Sequence, residues 1–428
     1  MTRHLDLEGW SRQKIWTCFD IVNGATPASG TTHFWDGDIS WVGPADLGKL
    51  SSTEIYYGEK NLTLSGYKSC GTTLVPKGTI ILSARAPIGH IAVAGKELCF
   101  NQGCKGLRLK EDVEQSFAYW LIMSLKVRLE AAGQGTTFVE LSRSKLKDID
   151  FLLPPHPEQR AIAAFLDKKC AAIDEAVRIK EAQITLLRER RQILIQQAVT
   201  RGLNPNAPLK DSGIDWIGQI PAHWEVRRGK YLFREVNERS EEGIEELLSV
   251  SHTTGVTARS EKNVNMFLAE DYTGSKLCQP GDIVINTMWA WMGALGVSDT
   301  TGIVSPSYGV YRPVQKRSFN RRFLEWLLRT TPFIEQYNKI STGLHSSRLR
   351  LYPHMFLGMF VAFPSRKEQD AIVAHVDNEA GEIDKAISIK QSRITALKEY
   401  KAVLINAAVT GKIKVTADRL SGTEMSDV

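Results

Sequence analysis

The sequence EQRAIAAFLDKKCAAIDEAVRIKEAQITLLRERRQILIQQAVT, residues 158–200, returns without a gap as EQDAIVAHVDNEAGEIDKAISIKQSRITALKEYKAVLINAAVT, residues 368–410. About 20 of the 43 aligned positions are identical. The two copies begin 210 residues apart, whereas solenoid repeats have periods of roughly 20 to 50 residues. The repeat therefore predicts two half-molecules in one chain, each built around one copy.

Each copy has the hydrophobic spacing of a helix that packs on another helix. Apolar residues and a few long cations recur in steps of three and four from Ile162 to Ala198, and in the same register from Ile372 to Ala408. Such a seam is typical of coiled coils. If one compact domain joins Thr200 to Glu368, the helix ends that it connects lie close together. The two helices are then expected to pair antiparallel.

The remaining sequence divides into two globular regions of similar plan. Each alternates short β-like runs with glycine-rich turns and then has one amphipathic stretch, at 113–132 and 319–337, that predicts a single helix. The expected fold class is α+β, with two globular α/β domains separated by two long antiparallel coiled-coil helices and a pseudo-two-fold internal repeat. The expected boundaries are 1–150 for domain 1, 151–202 for the first helix, 203–215 for a connector, 216–364 for domain 2, 365–412 for the second helix and 413–428 for a polar tail.

The two globular regions also share short motifs. Residues 78–82 (GTIIL) correspond to residues 281–285 (GDIVI), and Ile88-Gly89 corresponds to Met292-Gly293. Outside these motifs the two sequences differ. The domains are therefore expected to share a plan while presenting different surfaces.

Composition limits the classes of function. The 428 residues are 43 % hydrophobic and 24 % charged, with a formal net charge of +6, which is compatible with a polyanionic partner. No apolar run approaches the roughly 18 residues that a membrane span needs, and the first residues lack the apolar core of a signal peptide, so a cytoplasmic location is expected. The six cysteines form no CxxC pair and no HExxH motif occurs, which predicts reduced thiols and no metal site.

Motifs of catalysis are missing from the sequence. There is no GxxxxGK[ST] phosphate loop, no glycine-rich nucleotide fingerprint after a strand, and no Asn-Pro-Pro-aromatic run of amino-methyltransferases. Recognition without catalysis is therefore the expected function.

Several short motifs, in order and duplicated, carry a family resemblance. They are Leu153-Pro154-Pro155 before Glu158-Gln159, Pro364 before Glu368-Gln369, residues 215–221 (DWIGQIP) before Trp224, and the paired elements Pro76-Lys77-Gly78 and Pro280-Gly281-Asp282. Together they resemble the specificity subunit of type I DNA restriction-modification systems. The N-terminal region keeps only Gly9-Trp10 of the DWIGQIP lead-in.

The resemblance implies an architecture and a set of partners. Each globular region would be a target-recognition domain that reads one half of a split double-stranded DNA target, and the helices would set the spacing. Two methyltransferase subunits and the motor-nuclease restriction subunits would assemble on the chain. S-adenosylmethionine, ATP and Mg²⁺ would belong to those partners, so this chain would need no cofactor and have no catalytic residues.

Candidate DNA-contacting residues lie in polar loops of the two domains. Arginine can bridge guanine O6 and N7, and asparagine or glutamine can pair with adenine N6 and N7, so these residue types suit base reading. The candidates are Ser83, Arg85, Asn101, Gln102, Lys105, Gln134, Thr136 and Thr137 in the first domain, and Asn286, Thr287, Trp289, Ser305, Ser307, Tyr308, His345, Ser346, Arg348 and Arg350 in the second.

Each candidate also has a purely structural interpretation. Asn101 and Gln102 would cap a turn, and Arg85 would make a surface ion pair. Trp289 and Trp291 would belong to the core, which is the commoner place for tryptophan in a β-rich domain.

Two other functions fit parts of the sequence. One is a structural coiled-coil adaptor that bridges two protein partners, and the other is a self-sufficient methyltransferase or nuclease. In the favoured interpretation, the methyltransferase subunits are expected to dock on the outer face of the long helices, which would include Gln159, Arg160, Gln192 and Gln196.

Overall fold

The computed structural model describes residues 7–133, 139–261, 271–343 and 349–415. The chain forms two compact units. The first contains Met1–Glu181 and Gln391–Val428, and the second contains Ala182–Lys390.

The elements up to and including the first long helix follow in chain order. They are β1 (Ser11–Lys14), α1 (Ile15–Cys18), β2 (Phe19–Asn23), β3 (Trp35–Val42), α2 (Pro44–Lys49), β4 (Glu54–Ile55), β5 (Lys60–Leu62), α3 (Leu64–Lys68), β6 (Ile80–Ser83), β7 (Ile91–Ala94), β8 (Cys99–Phe100), β9 (Cys104–Leu109), α4 (Gln115–Ser124), α5 (Lys126–Ala132), α6 (Arg143–Lys147), β10 (Asp150–Leu153) and α7 (His156–Arg201).

The elements after the first long helix end with the second. They are β11 (Leu209–Asp211), β12 (Gln219–Pro221), β13 (Glu225–Arg228), α8 (Gly229–Leu232), β14 (Phe233–Glu235), β15 (Leu248–Ser251), β16 (Gly255–Ala258), β17 (Lys276–Cys278), β18 (Ile283–Ile285), β19 (Leu295–Val297), β20 (Gly302–Val304), β21 (Gly309–Pro313), α9 (Arg321–Leu328), α10 (Thr331–Ile340), α11 (Pro353–Gly358), β22 (Phe360–Phe363) and α12 (Arg366–Val409).

The first unit is built on a five-stranded sheet of order β2-β9-β6-β7-β4 and a three-stranded sheet of order β5-β3-β8. Strand β6 is buried along its whole length, as expected for the centre of a sheet covered on both faces. One face packs with α4 and α5 in a core that also takes in the beginning of α7 and the end of α12. The strands therefore bring the loops after β6 and before β9 to the same edge.

The second unit repeats this plan with fewer strands. Its four-stranded sheet has the order β14-β21-β18-β19, and β18 is central and buried. The core includes α9 and the end of α7 with the beginning of α12. Register pairs Ile283 with Tyr311 and Ile285 with Gly309, so the loops after β18 and before β21 share an edge.

The long helices pair antiparallel within each unit. In the first unit the Lys401 ammonium donates to the Asp174 carboxylate at 2.7 Å, and Lys398 lies 3.4 Å from Glu181. In the second unit Lys390 donates to Gln183 at 2.7 Å. The predicted seam positions are buried or half-buried in both helices, while Val403, next to the seam, is 65 % exposed. The α+β fold class with antiparallel long helices is confirmed.

The internal repeat is visible in backbone geometry. Gly78 and Gly281, which precede the central strands, have φ of 90° and 97°, and Gly89 and Gly293 have φ of 93° and 83°. A side chain is disfavoured in this left-handed region, which explains why glycine occupies both pairs. The motif correspondence predicted from the sequence therefore reflects equivalent turns.

Each globular region is tied to its long helix by one buried glutamine. Gln159 Oε1 accepts from the Glu114 backbone N–H at 2.8 Å, and its amide donates to the carbonyls of Asp112 and Pro154. Gln369 makes the same three bonds, to the N–H of Asn320 at 2.8 Å and to the carbonyls of Ser318 and Pro364. The expectation that Gln159 lies on an outer docking face is therefore wrong, because its side chain is buried under the globular region.

The N-terminal lead-in packs like its longer counterpart. The Trp10 indole N–H donates to Glu158 at 3.0 Å, and the Trp224 indole N–H donates to Glu368 at 3.1 Å. The strand after each tryptophan pairs antiparallel with the strand before the long helix, β1 with β10 and β13 with β22. Gly9-Trp10 is thus sufficient to place the N-terminal strand.

The two amphipathic stretches differ from the prediction, since each forms two helices rather than one. The first breaks at Leu125, between α4 and α5. The second breaks before α10, where Pro332 occupies the first turn and lacks the N–H that a continuous helix needs.

Three simpler expectations can be compared with the structure. All six cysteines are free thiols, and burial raises the pKa of Cys99 and Cys104 to about 12. Within the described ranges, no helix is both long and apolar enough to cross a membrane. The same residues contain no group of three or more His, Cys, Asp or Glu side chains arranged to hold a metal ion.

Candidate nucleic-acid interface

In the first unit, the turn after β6 is held from inside by Ser83. Its hydroxyl donates to the Pro87 carbonyl at 2.8 Å and accepts from the His90 N–H at 2.8 Å. The residue has no exposed surface. Ser83 therefore shapes the turn and does not face solvent.

Arg85 begins that turn and points outward. Its guanidinium lies 2.9 Å from a Glu140 carboxylate oxygen, and the Lys105 ammonium lies 3.8 Å from the other oxygen. Arg85 is exposed, whereas Lys105 is largely buried, and this burial lowers the pKa of the Lys105 ammonium. The Glu140 carboxylate thus contacts both cations, and of the two side chains Arg85 is the one exposed to solvent.

Asn101 and Gln102 lie in the turn before β9. Asn101 Oδ1 accepts from the Gly103 N–H at 2.8 Å, which is the predicted turn-capping bond. The exposed Gln102 accepts from the Thr26 hydroxyl through Oε1. A Cβ on Gly103 would lie 3.2 Å from Asn101 Oδ1 and 3.5 Å from Arg85 Cδ. The structure therefore brings Arg85 and Asn101 together beside Gln102, and Gln134, Thr136 and Thr137 lie outside the described residues.

In the second unit, Asn286 occupies the position equivalent to Ser83. It is buried, its amide donates to the Tyr308 hydroxyl at 3.0 Å, and its Oδ1 accepts from the Met288 N–H at 3.3 Å. Burial raises the pKa of Tyr308. Asn286 and Tyr308 are therefore joined by a bond between the two loops.

The exposed part of this surface lies around Asn286. The Thr287 hydroxyl donates to the Ser307 carbonyl at 3.0 Å, and the hydroxyls of Ser305 and Ser307 are 2.8 Å apart. The Leu351 N–H donates to the Thr287 carbonyl at 3.0 Å, which places the exposed Arg350 beside the same loop. His345, Ser346 and Arg348 lie outside the described residues.

Trp289 contradicts the core interpretation. It is 51 % exposed and stacks on Trp291, with ring centroids 6.1 Å apart and planes 20° from parallel. The Trp291 indole N–H donates to the Met288 carbonyl at 3.0 Å, which fixes the inner ring. The Trp289 ring is thus exposed to solvent on one side and stacked on Trp291 on the other.

Two residues of these surfaces were not predicted from the sequence. Glu140 orients both Arg85 and Lys105, and Lys276 donates from a buried position to the Tyr308 carbonyl at 2.8 Å. Burial also lowers the pKa of Lys276. Neither belongs to a recognisable motif, because each acts across strands that are distant in sequence.

Comparison with known proteins finds similarity to DNA specificity proteins. Residues 8–185 match the family model described as type I restriction modification DNA specificity domain. The specificity subunit of the type I restriction enzyme MjaIX from Methanocaldococcus jannaschii is 31 % identical over 225 residues, which cover 51 % of this chain and 50 % of that protein. The MjaVIII specificity subunit from the same organism is 25 % identical over 317 residues, 69 % and 70 % of the two chains.

The alignment with the MjaIX subunit thus spans half of that relative's length.

Solved structures are similar over nearly the whole chain. A chain from a study of complex assembly and conformational transition of the type I R-M system has a TM-score of 0.67 at 16 % identity, covering 95 % of this chain and 99 % of that one. The HsdS subunit from Thermoanaerobacter tengcongensis has a TM-score of 0.50 at 16 % identity, covering 95 % and 98 %. At this identity the likeness concerns the fold.

Proposed function

We propose that the chain is a specificity subunit of a type I restriction-modification system and selects the DNA sequence on which such a complex acts, because residues 8–185 match the model of a type I restriction modification DNA specificity domain. It reads a bipartite, asymmetric target, one half-site with the domain at 1–150 and the other with the domain at 216–364. In this proposal the long helices set the length of the spacer between the half-sites.

The observation that carries this proposal is the pair of equivalent loop surfaces with different side chains. Ser83 ends β6 and Asn286 follows the equivalent strand β18. One surface presents Arg85, Asn101 and Gln102, while the other presents Trp289 and its polar neighbours. Base reading depends on which donors and acceptors meet the groove. Two different surfaces on one repeated frame therefore favour two different half-sites.

The exposed residues have distinct roles in this proposal. Arg85, Asn101 and Gln102 contact base edges in the first half-site. In the second, Thr287 and Ser307 supply hydroxyls, Arg350 meets phosphates, and Trp289 packs against the duplex as an apolar wedge of the kind that unstacks base steps. Ser83, Lys105, Asn286 and Tyr308 support the loops, because their polar groups are buried or bonded within the protein.

Catalysis belongs to the partners in this account. The chain scaffolds two methyltransferase subunits and, for restriction, motor-nuclease subunits, which supply the sites for S-adenosylmethionine, ATP and Mg²⁺. The missing phosphate loop and nucleotide fingerprint support this division. Methyl transfer by the purified chain alone would contradict it.

A salt titration tests the proposal against the alternative of a protein-bridging adaptor. The chain, with methyltransferase subunits bound, should bind duplex DNA with an affinity that falls steeply as salt rises, because phosphate contacts release counterions. An adaptor without DNA recognition would show no duplex affinity in any salt.

Exchanging residues 1–150 for the corresponding domain of another family member tests the assignment of half-sites. The methylated sequence should change in one half and keep the other half and the spacing. A change in both halves would show that the domains do not read independently.

A further inference from the structure

A basic cleft lies in the second unit, at the other end of β18 from the loop that contains Trp289. It has a volume of about 680 Å³. It is formed by the turn before β18, the loop after β21, and the first residues of α9 and α12. Six cationic side chains and two carboxylates line it: Arg312, Lys316, Arg317, Arg321, Arg322, Arg366, Asp282 and Asp299.

Three of the six cationic side chains make ion pairs or hydrogen bonds within the protein. Two of these, Arg312 and Arg322, make ion pairs beside the cleft. Arg312 binds the buried Asp282 at 2.7 Å and also Glu238. Arg322 pairs with Asp377. Each contact neutralises part of the charge of its arginine.

Arg366 is the third of these side chains, and it bonds to the backbone of the loop that lines the cleft. It pairs with Asp370 at 2.9 Å, and its guanidinium donates to the carbonyls of Arg317 and Phe319, both at 3.1 Å. The loop is therefore held in one shape by its own backbone oxygens. Arg317 has a left-handed φ of 62°, which a non-glycine residue adopts only at some cost in free energy.

The other three cations face solvent. Lys316 and Arg317 have no carboxylate within 4 Å among the residues that the structure describes. Arg321 lies 3.9 Å from Asp299, and both side chains are at least half-exposed, so this contact is weak. The cleft thus holds cations whose charge is not neutralised by the protein.

The equivalent loop of the first unit has the opposite charge. The N–H groups of Glu114 and Asn320 bind the two equivalent glutamines, which aligns 110–116 (KEDVEQS) with 316–322 (KRSFNRR). The first loop has one lysine and three carboxylates, and the second has one lysine and three arginines. The shared fold therefore does not require the basic residues.

The lining of the cleft favours a nucleic acid over a protein ligand. Stable protein interfaces centre on exposed aromatic or aliphatic anchors, whereas Phe319 and Leu324 in this cleft are buried in the core. Protein–DNA interfaces are more polar and more positively charged. Guanidinium groups in particular suit phosphate oxygens.

We propose that Lys316, Arg317 and Arg321 bind the phosphate backbone of duplex DNA that flanks the target, beyond the half-site read by the second domain. This inference rests on the proposed function, because the loop with Trp289 is taken to hold that half-site. The cleft and that loop lie at opposite ends of strand β18. A duplex whose half-site is bound at the loop therefore reaches the cleft only through the base pairs that flank the half-site. The first domain, with an acidic loop here, makes no such contact.

The test compares two duplexes after the target has been identified. One ends at the half-site of the second domain and the other extends about 10 base pairs further, close to one helical turn of DNA. Binding by the assembled complex is measured over a range of salt concentrations. The variant is K316Q/R317Q/R321Q, the matched control is E111Q/D112N in the first unit, and a charge-retaining K316R/R321K variant checks for loss of shape.

For the extended duplex, the triple variant should bind about tenfold more weakly, with the slope of log affinity against log salt smaller by about 2 to 3, since each phosphate contact contributes about 0.9. The triple variant should bind the short duplex and methylate the same sequence as the wild type does, and the E111Q/D112N control should bind the extended duplex like the wild type. The charge-retaining variant should keep the salt slope of the wild type and most of its affinity, because a lysine still places one positive charge at the phosphate. Equal weakening on both duplexes would overturn the inference, as would loss of methyltransferase assembly with unchanged DNA affinity. Absence of sequence preference in the wild-type complex would instead overturn the proposed function.

Discussion

A buried glutamine at the start of each long helix bonds the helix to its globular region. Gln159 and Gln369 are 1 % and 0 % exposed, and each uses one acceptor and two donor positions on backbone groups of a neighbouring loop. These backbone groups would otherwise be buried without partners, which is costly. The glutamines therefore stabilise the contact between each globular region and its long helix.

Replacing Gln159 or Gln369 by leucine should lower the free energy of unfolding by about 3 kcal/mol, because unpaired buried polar groups cost about 1–3 kcal/mol each. Urea unfolding of the two variants measures the effect. Gln192→Leu, at an exposed position of the same long helix, should change the free energy by less than about 0.5 kcal/mol. If Gln369→Leu lowered the free energy of unfolding no more than Gln192→Leu does, the proposed role of the buried glutamines would be wrong.

The strand pair that leads into α7 carries a pH-dependent contact. Hydrogen bonds from Arg12 and then Arg128 hold the pKa of the Asp150 carboxyl below its ordinary value, with Arg12 Nε at 2.7 Å. A lowered folded pKa stabilises the protein above the ordinary pKa of an aspartate. That stabilisation is lost as pH falls through the folded value.

Asp150→Asn should therefore lower the free energy of unfolding at pH 7 by about 1 kcal/mol, a value typical of a solvent-accessible ion pair. The difference from wild type should shrink below about pH 4 and disappear in stronger acid. Denaturant unfolding at pH 7, 4 and 3 measures it. A difference that stays constant across this range would mean that the ion pair is not its cause.

Side-chain direction limits what the sequence can predict about the proposed DNA-contacting surfaces. Arg85 and Asn101 both lie beside Gly103, because the turns after β6 and before β9 lie at the same end of two neighbouring strands. Ser83 and Asn286 are buried because each lies at the end of a strand that is covered on both faces, which depends on where each strand stops. Trp289 is exposed and Trp291 is half-buried, a difference that composition does not reveal.

At the scale of elements, the long helices are stabilised by their seam rather than by surface charge. Leu404 is buried at 8 % exposure in the core shared by α4, α5 and α7. Adjacent positions on the same turn differ greatly in burial, as the three-and-four spacing predicts. The register of both helices was accessible from sequence for this reason.

Leu404→Ala should destabilise the protein by about 2–4 kcal/mol, through lost burial and the cavity left behind. Val403→Ala, one residue earlier and largely exposed, should change stability by no more than about 0.5 kcal/mol. Thermal or urea unfolding of the two variants provides the comparison. Equal effects would show that the seam lies elsewhere.

Removing one heptad from each long helix tests whether the helices set the target spacing. Seven residues account for about 10 Å of helix, or about three base pairs of duplex at 3.4 Å per step. The methylated target should keep both half-sites and acquire a shorter spacer. An unchanged spacer would show that the helices are not the ruler.

The breaks in the amphipathic stretches show what element prediction misses. The spacing of apolar residues continues through Leu125 and Thr330, so a single helix was predicted in each domain. The second break is explained by Pro332, which starts a new helix. Nothing in the structure explains the first break.

At the scale of the whole molecule, repetition and divergence occur in different parts of the chain. The long helices, the buried glutamines and the positive-φ glycines are duplicated closely, whereas the exposed loops and the loops at 110–116 and 316–322 differ in chemistry. A repeated frame with two different surfaces suits a target with two different halves. Comparison of the two halves of the sequence predicts the repeated helices and turns. The burial and direction of particular loop side chains depend on contacts between distant strands, which the sequence does not show.

The most direct test of this account is a map of methylated bases in host DNA, with and without this gene, in the presence of the partner methyltransferase gene. The account predicts one gene-dependent motif with two unequal half-sites and a spacer of fixed length. A motif that is continuous or palindromic, or a methylation pattern that does not depend on the gene, would contradict it.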